Sequence, residues 1–160
     1  MKVLGLDISE KSTGWAVLTD RLTLVDYGAL SFLTAKSKKE IFLLFASSLA
    51  TIVAKHKTFD YIIIEDTFFS KNISTLKALS NLAGIAILTA YSQDPGAKIA
   101  LITVASLRAA LWPKQKVDKE QVFRYISNKY NLKNIPNDVT DAITAASFPF
   151  VRKVEEKWTR

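Results

Sequence analysis

The stretch Lys2-Val3-Leu4-Gly5-Leu6-Asp7-Ile8-Ser9 decides how the rest of the chain reads. It is an apolar, strand-forming run that carries one carboxylate, Asp7, into what should be the middle of a buried sheet. An unpaired carboxylate there is costly, so Asp7 must be neutral, hydrogen-bonded or set against a metal. Two later stretches offer to share its surroundings. Tyr61-Ile62-Ile63-Ile64-Glu65 is a second apolar strand ending in an acid, and Asn137-Asp138-Val139-Thr140-Asp141-Ala142 reads as the start of a helix. Brought together, they make a cluster of carboxylates with no cation in its own motifs, which by charge is a divalent-metal site.

At 160 residues, 49% of them hydrophobic, the chain is long enough for one domain with a real core, here taken as 1–160 with 151–160 as a frayed, Lys/Arg/Glu-rich tail. Lys and Arg number 22 against 15 Asp and Glu, a net charge of +7, while the acids singled out above sit in apolar surroundings. That combination suits a protein that binds a polyanion over metal-held acids. With no cysteine, disulfides and zinc-thiolate sites are excluded. The first apolar run is broken by Asp7 and has no cleavage-like small-residue site, so it is not a signal peptide. The most hydrophobic later segment, 41–54, carries Ser47, Ser48 and Thr51. As a helix it would span roughly 21 Å, short of the roughly 30 Å hydrocarbon core, and so reads as a packed helix of a soluble intracellular protein with no membrane association.

Along the chain, 10–14 is a polar turn with a glycine, and strands resume at 15–18 and 22–30; their short connections make the first three strands an antiparallel meander. Ser37, three residues before Glu40, opens a helix as a capping box, and Ile41, Leu44, Phe45, Leu49, Ile52 and Val53 form its apolar stripe. The strand at 61–65 is reached through that helix and should pair in parallel, its Ile62-Ile63-Ile64 core buried on both faces. A long helix follows at 72–91, then a turn at 94–96, a strand at 98–104, a short helix at 105–111 and a basic loop at 112–116. A helix opening at Val117 or Asp118 and running to about Tyr130, and a last one introduced by Pro136 and bent or ended by Pro149, complete the order β-β-β-α-β-α-β-α-α-α. This is an α/β pattern: a mixed sheet with helices on both faces, in which Asp7 and Glu65 end up side by side.

Asp138 and Asp141 lie three apart, roughly 60° around a helix, so both can face one sheet edge. Ala142, Ala145 and Ala146 keep that helix slim. First-turn aspartates are often simple caps, and the pair gains its chemical meaning only from Asp7 and Glu65 on strand ends. Four crowded acids repel one another, and two divalent cations with a preference for oxygen ligands relieve them. No serine, cysteine or histidine triad competes: His56, between Lys55 and Lys57 on a helix end, reads as solvated.

Taken in order, Gly5-Leu6-Asp7-Ile8-Ser9 with Thr13-Gly14, Ile64-Glu65 followed by Phe68-Phe69-Ser70-Lys71-Asn72, and Asp138-x-x-Asp141-Ala142 resemble the RuvC-type Holliday-junction resolvases of the RNase H-like superfamily over nearly the whole chain. The resemblance implies an RNase H-like fold with a five-stranded mixed sheet in the order 3-2-1-4-5. It also implies a homodimer that binds a four-way DNA junction and nicks two strands symmetrically with Mg2+, or Mn2+ in its place, two ions per site. Asp7, Glu65, Asp138 and Asp141 fall on the family's acidic positions. Lys119 matches a basic position near the scissile phosphate, and Arg108 stands where lysine is usual, which keeps the charge and changes its geometry. Phe69 matches an aromatic that stacks on unpaired bases at the crossover, and the 72–91 helix matches the dimer contact. A bacterial, cytoplasmic setting follows, with a phage-encoded member left open.

Lys11, Lys71, Lys114 and Lys116 lie in loops flanking the acidic motifs, where phosphate contact is expected, whereas Lys36, Lys38 and Lys39 are far from the motifs in sequence and read as solvated. Alternatives are an RNase H-like nuclease cutting forks, flaps or RNA–DNA hybrids, and a non-catalytic junction-binding protein. A sugar-kinase-like phosphate binder would need a second lobe, for which the chain is too short.

Overall fold

The computed structural model of the chain describes residues 1–66 and 72–154. Five strands, β1 (Val3–Ile8), β2 (Ser12–Thr19), β3 (Thr23–Ser31), β4 (Tyr61–Asp66) and β5 (Lys98–Thr103), form one sheet in the order β3-β2-β1-β4-β5. The β1–β2 and β2–β3 pairs are antiparallel, and β1–β4 and β4–β5 are parallel, as the meander and the helical crossovers require. Five longer helices cover the sheet: α1 (Lys38–His56), α2 (Ile73–Gln93), α3 (Val104–Leu111), α4 (Lys119–Tyr130) and α5 (Asn137–Val151). The mixed sheet with its expected strand order is therefore present.

Period-two alternation divides the core into two layers. Leu4, Leu6, Ile8, Val17, Ile62 and Ile64 join the layer beneath α1 and α2, with Phe45, Leu49 and Leu82. Val3, Ala16, Leu18, Ile63 and Ala100 join the layer beneath α5, with Ile143, Ala145 and Ala146. The isoleucine run of β4 is fully buried because successive side chains enter opposite layers, each contributing roughly 1.5–3 kcal/mol.

Helix α5 is buried along nearly its whole length, and two glycines admit it. A Cβ at Gly5 would lie 2.8 Å from the Ala146 Cβ and closer still to the Ala142 carbonyl. A Cβ at Gly14 would lie 2.8 Å from the Val139 nitrogen and closer still to the Asp138 carbonyl. The backbone of α5 thus rests on the backbone of β1 and β2, with alanines at the contact. Its buried hydroxyls need no outside partner: Thr144 donates to the Thr140 carbonyl and Ser147 to the Ile143 carbonyl, both at 2.8 Å.

Several expectations are corrected. The turn after β1 is shorter than 10–14, because Ser12, Thr13 and Gly14 already pair in β2. Ser37 caps α1 as expected, accepting from the Glu40 nitrogen at 3.2 Å, but the Glu40 carboxylate returns to the Lys36 nitrogen and so does not close the box on Ser37. His56 is buried, not solvated: the helix turns it inward, where its Nε2 lies 2.8 Å from the Asp26 carboxylate of β3 and its ring faces Trp15. Lys38 is exposed, as expected, with its ammonium 3.3 Å from Glu10, just past the end of β1. Among the described residues, α2 is the one helix long and apolar enough to cross a membrane; it lies against α1 with Ala78, Leu82, Ala86 and Ala90 buried.

Replacing Gly14 by alanine is expected to cost about 1–3 kcal/mol or more through overpacking against α5, lowering the thermal midpoint by several degrees. Gly96→Ala, where a Cβ meets nothing within 4 Å, serves as the control. Equal midpoints for the two variants in a thermal melt would contradict this account of α5.

Candidate active site

Asp7 lies on β1 with Gly5 and Val3, on the α5 side of the sheet, while its neighbours Leu6 and Ile8 enter the other layer. Glu65 lies on the same side of β4 by the same alternation, following Ile63. The last paired rung is Leu6↔Ile64, so Asp7 and Glu65 emerge together at the carboxyl ends of two adjacent parallel strands. The amino end of α5 comes down over this edge because Gly14 lets the Asp138 backbone touch β2. Asp138 is half-buried and Asp141, one turn on, is buried. Three segments far apart in sequence therefore deliver their acids to one face of one sheet edge.

The electrostatics register the crowding. Burial, then the charges of Glu65, Asp141 and Asp138, pushes the Asp7 carboxyl up to about 8. Burial and the charges of Asp141 and Asp138 push Glu65 up to about 7, against the opposing pull of Lys119 and Arg108. Lys119 answers from α4, its ammonium 2.8 Å from an Asp141 oxygen. Burial pulls that ammonium down, but the Asp141 hydrogen bond and the charges of Asp141, Asp7 and Asp138 outweigh it and hold its pKa above the usual lysine value. A reciprocal capping box places Lys119 there: the Asp118 side chain accepts from the Gln121 nitrogen at 2.8 Å, and the Gln121 side chain accepts from the Asp118 nitrogen at 2.9 Å.

The donor set suits a hard divalent cation. All four acids offer oxygen, and no thiol or imidazole is among them. Their mutual repulsion is the charge deficit that such an ion relieves. In this structure the Lys119 ammonium pairs with one of them, Asp141, and among the described residues no group of three or more acidic, histidine or cysteine side chains is drawn tightly enough to enclose an ion as it stands.

The basic residues flank this edge unequally. Arg108, at the end of α3, is half-buried, reaches the Val117 carbonyl at 3.5 Å and adds its charge to the field at Glu65. Lys114 and Lys116 are exposed in the loop before α4, and Lys11 is exposed in the turn after β1. Phe69 and Lys71 lie outside the described residues, as does Phe68. Sequence reading assigned Ser12 to a turn and gave it no role, yet its hydroxyl donates to the Asp138 carboxylate. The available signal was its place one residue before Thr13-Gly14, on the α5 side of β2.

Both raised carboxyls have a consequence for stability. The folded state keeps protons that the unfolded chain releases near pH 4, so these two groups contribute most to the stability of the metal-free protein below that pH, and their contribution is lost as pH rises toward about 8. Asp7→Asn is therefore expected to flatten the profile and raise the metal-free thermal midpoint by several degrees at pH 8.5, with little change at pH 4. Parallel melting curves for the two proteins across that range would contradict the assignment.

The family model described as crossover junction endodeoxyribonuclease RuvC matches residues 3–147. The crossover junction endodeoxyribonuclease RuvC of Caldicellulosiruptor saccharolyticus is 26% identical over 152 residues, covering 91% of this chain and 90% of its own. The fold is shared with T. thermophilus RuvC, solved in complex with a Holliday junction substrate, at a TM-score of 0.77 and 17% identity over 91% of this chain and 90% of that one. It is shared more distantly with the yeast mitochondrial Holliday junction resolvase, at a TM-score of 0.57 and 13% identity over 91% and 75%. With its strand order, its acid-bearing sheet edge and a family match running from β1 into α5, the chain belongs to the RuvC family of crossover junction endodeoxyribonucleases.

Proposed function

We propose that Asp7, Glu65, Asp138 and Asp141 are the catalytic acids with which this chain resolves four-way DNA junctions, and that Lys119 serves them as a cationic partner. The observation that carries the reading is the convergence of these acids on one sheet edge, where burial and mutual repulsion raise Asp7 to about 8. Family membership supports the reaction, endonucleolytic hydrolysis of phosphodiesters at a crossover, and implies dependence on a divalent cation.

We assign Mg2+, with Mn2+ as a substitute and two ions per site, to the four acids. When bound, such ions supply Lewis-acid stabilisation of the phosphoryl oxygens and activation of water. The chain's own contribution is placement. Asp7 stands centrally, fixed by β1 within the sheet, with Glu65 beside it and the α5 pair above. Lys119 carries positive charge to the same edge and can follow a phosphate once Asp141 no longer holds it. Arg108, Lys114, Lys116 and Lys11 flank the edge as phosphate contacts, and Phe69 and Lys71 complete the set by resemblance.

Two symmetric nicks require two such sites, and α2 supports a homodimer. Ile73, Lys77, Asn81, Gly84, Leu88 and Tyr91 are exposed at spacings of three and four, one face of α2 that a partner helix could cover. Leu88 is 67% and Tyr91 60% exposed, and a Cβ at Gly84 would meet nothing within 4 Å, so a partner helix can approach closely. A cytoplasmic location follows from a DNA substrate.

Asp7→Asn is expected to lower Mg2+-dependent nicking of a labelled four-way junction by roughly 10³-fold, several kcal/mol of transition-state stabilisation, while junction binding persists. Residual cleavage near wild type, or loss of binding with the fold preserved, would overturn the reading; fork, flap and RNA–DNA hybrid substrates run alongside measure its breadth. Leu88→Glu is expected to halve the molar mass measured by light scattering without changing the circular dichroism. An unchanged mass would remove α2 from the dimer.

A further inference from the structure

The two acids of α5 are held in different ways. Asp141 is gripped by the Lys119 ammonium from α4. Asp138 is the second residue of a helix whose amino cap is Pro136, which offers no side chain to fix the first turn. Its hydrogen-bond partner among the described residues is the hydroxyl of Ser12, on an element 126 positions earlier in the chain.

Ser12 is built to make that contact. It begins β2 on the side that faces α5: Gly14 touches the Asp138 backbone, and Ala16 and Leu18 follow into the layer beneath the helix. Its backbone is already engaged by Ser9. The Ser12 carbonyl accepts from the Ser9 nitrogen at 3.0 Å and from the Ser9 hydroxyl at 2.7 Å, and the Ser12 nitrogen donates to the Ser9 hydroxyl at 3.1 Å. With both backbone groups tied down, the residue cannot swing, and its hydroxyl is left to donate to the Asp138 carboxylate.

A neutral donor suits this task. A hydroxyl takes up one lone pair of one carboxylate oxygen and leaves the negative charge and the remaining lone pairs available, whereas an ammonium neutralises the group it holds. Asp138 faces the charges of Asp7 and Glu65, which would otherwise repel its carboxylate toward solvent. Groups that orient a metal-binding carboxylate from behind act on ion affinity through that carboxylate.

We propose that Ser12 is a positioning residue of the nuclease site, its hydroxyl holding the Asp138 carboxylate in place among the acids that would hold a divalent cation. The inference rests on the reading of Asp138 as a metal-site acid. It is tested with Ser12→Ala, Ser12→Val and Ser12→Thr beside Asp138→Asn, by Mn2+ titration of the DNA-free protein, thermal melting, and kcat and KM on a four-way junction.

Ala and Val are expected to weaken Mn2+ binding by about 10–100-fold and to lower kcat at limiting metal. KM for the junction and the thermal midpoint should stay near wild type, and Thr, isosteric with Val but bearing the hydroxyl, should restore affinity. Wild-type Mn2+ binding by Ala and Val, with loss in Asp138→Asn, would overturn the role of Ser12 and leave the acid site standing. Wild-type Mn2+ binding by Asp138→Asn would overturn the acid reading itself. Losses that track a lowered melting midpoint in all three Ser12 variants, Thr included, would make Ser12 a tether for α5 and overturn its positioning role.

Discussion

Everything distinctive about this molecule depends on how closely α5 approaches the sheet. At Gly5 and Gly14 no side chain stands between the helix and strands β1 and β2, so backbone meets backbone. A single methyl at either position would force the helix outward. Because α5 carries two of the four acids, its height above the sheet is also the distance between those acids and Asp7. The small side chains of the helix and the missing side chains of the strands are one packing solution, and the acid cluster is its by-product.

That solution creates an electrostatic problem, which the fold answers with several devices of different strength. Burial and mutual repulsion raise Asp7 and Glu65 far above the carboxylate range, so that in the absence of added cations part of the charge is removed by protonation. Lys119 removes more, held at the start of α4 by a capping box and drawn onto Asp141. Arg108 adds a weaker, more distant charge near Glu65. The cluster is thus compensated by protons and one ammonium, each of which a stronger cation could replace. A site already neutralised by fixed internal partners would have nothing to gain from a metal.

Two features outside the acid cluster show how tertiary contacts reassign residues that look ordinary in sequence. His56, flanked by lysines at a helix end, turns inward to join Asp26, whose carboxylate is held below its usual range first by the Lys55 hydrogen bond and also by His56. Lys38 bridges Glu10, just past the end of β1, and, at 3.4 Å, the Ser74 hydroxyl at the start of α2. Neither could be read from neighbours in the chain, because in each case the partner comes from another element.

The sequence by itself determined the element order, the mixed sheet and the identity of the acids. Period-two and period-3.6 patterns are local, and an acid at the end of an apolar strand is conspicuous wherever it occurs. Glycine at positions 5 and 14 was visible too, but its purpose was not, since what a glycine makes room for lies in another part of the chain. Only the tertiary structure decided that Ser12 belongs to β2 and reaches Asp138, that Lys119 sits on Asp141, that His56 is buried and that Lys38 reaches Glu10. The reason is physical: side-chain identity and local periodicity set which face a residue occupies, while hydrogen bonds and ion pairs between elements depend on the register and spacing of packed backbones, which no local pattern encodes.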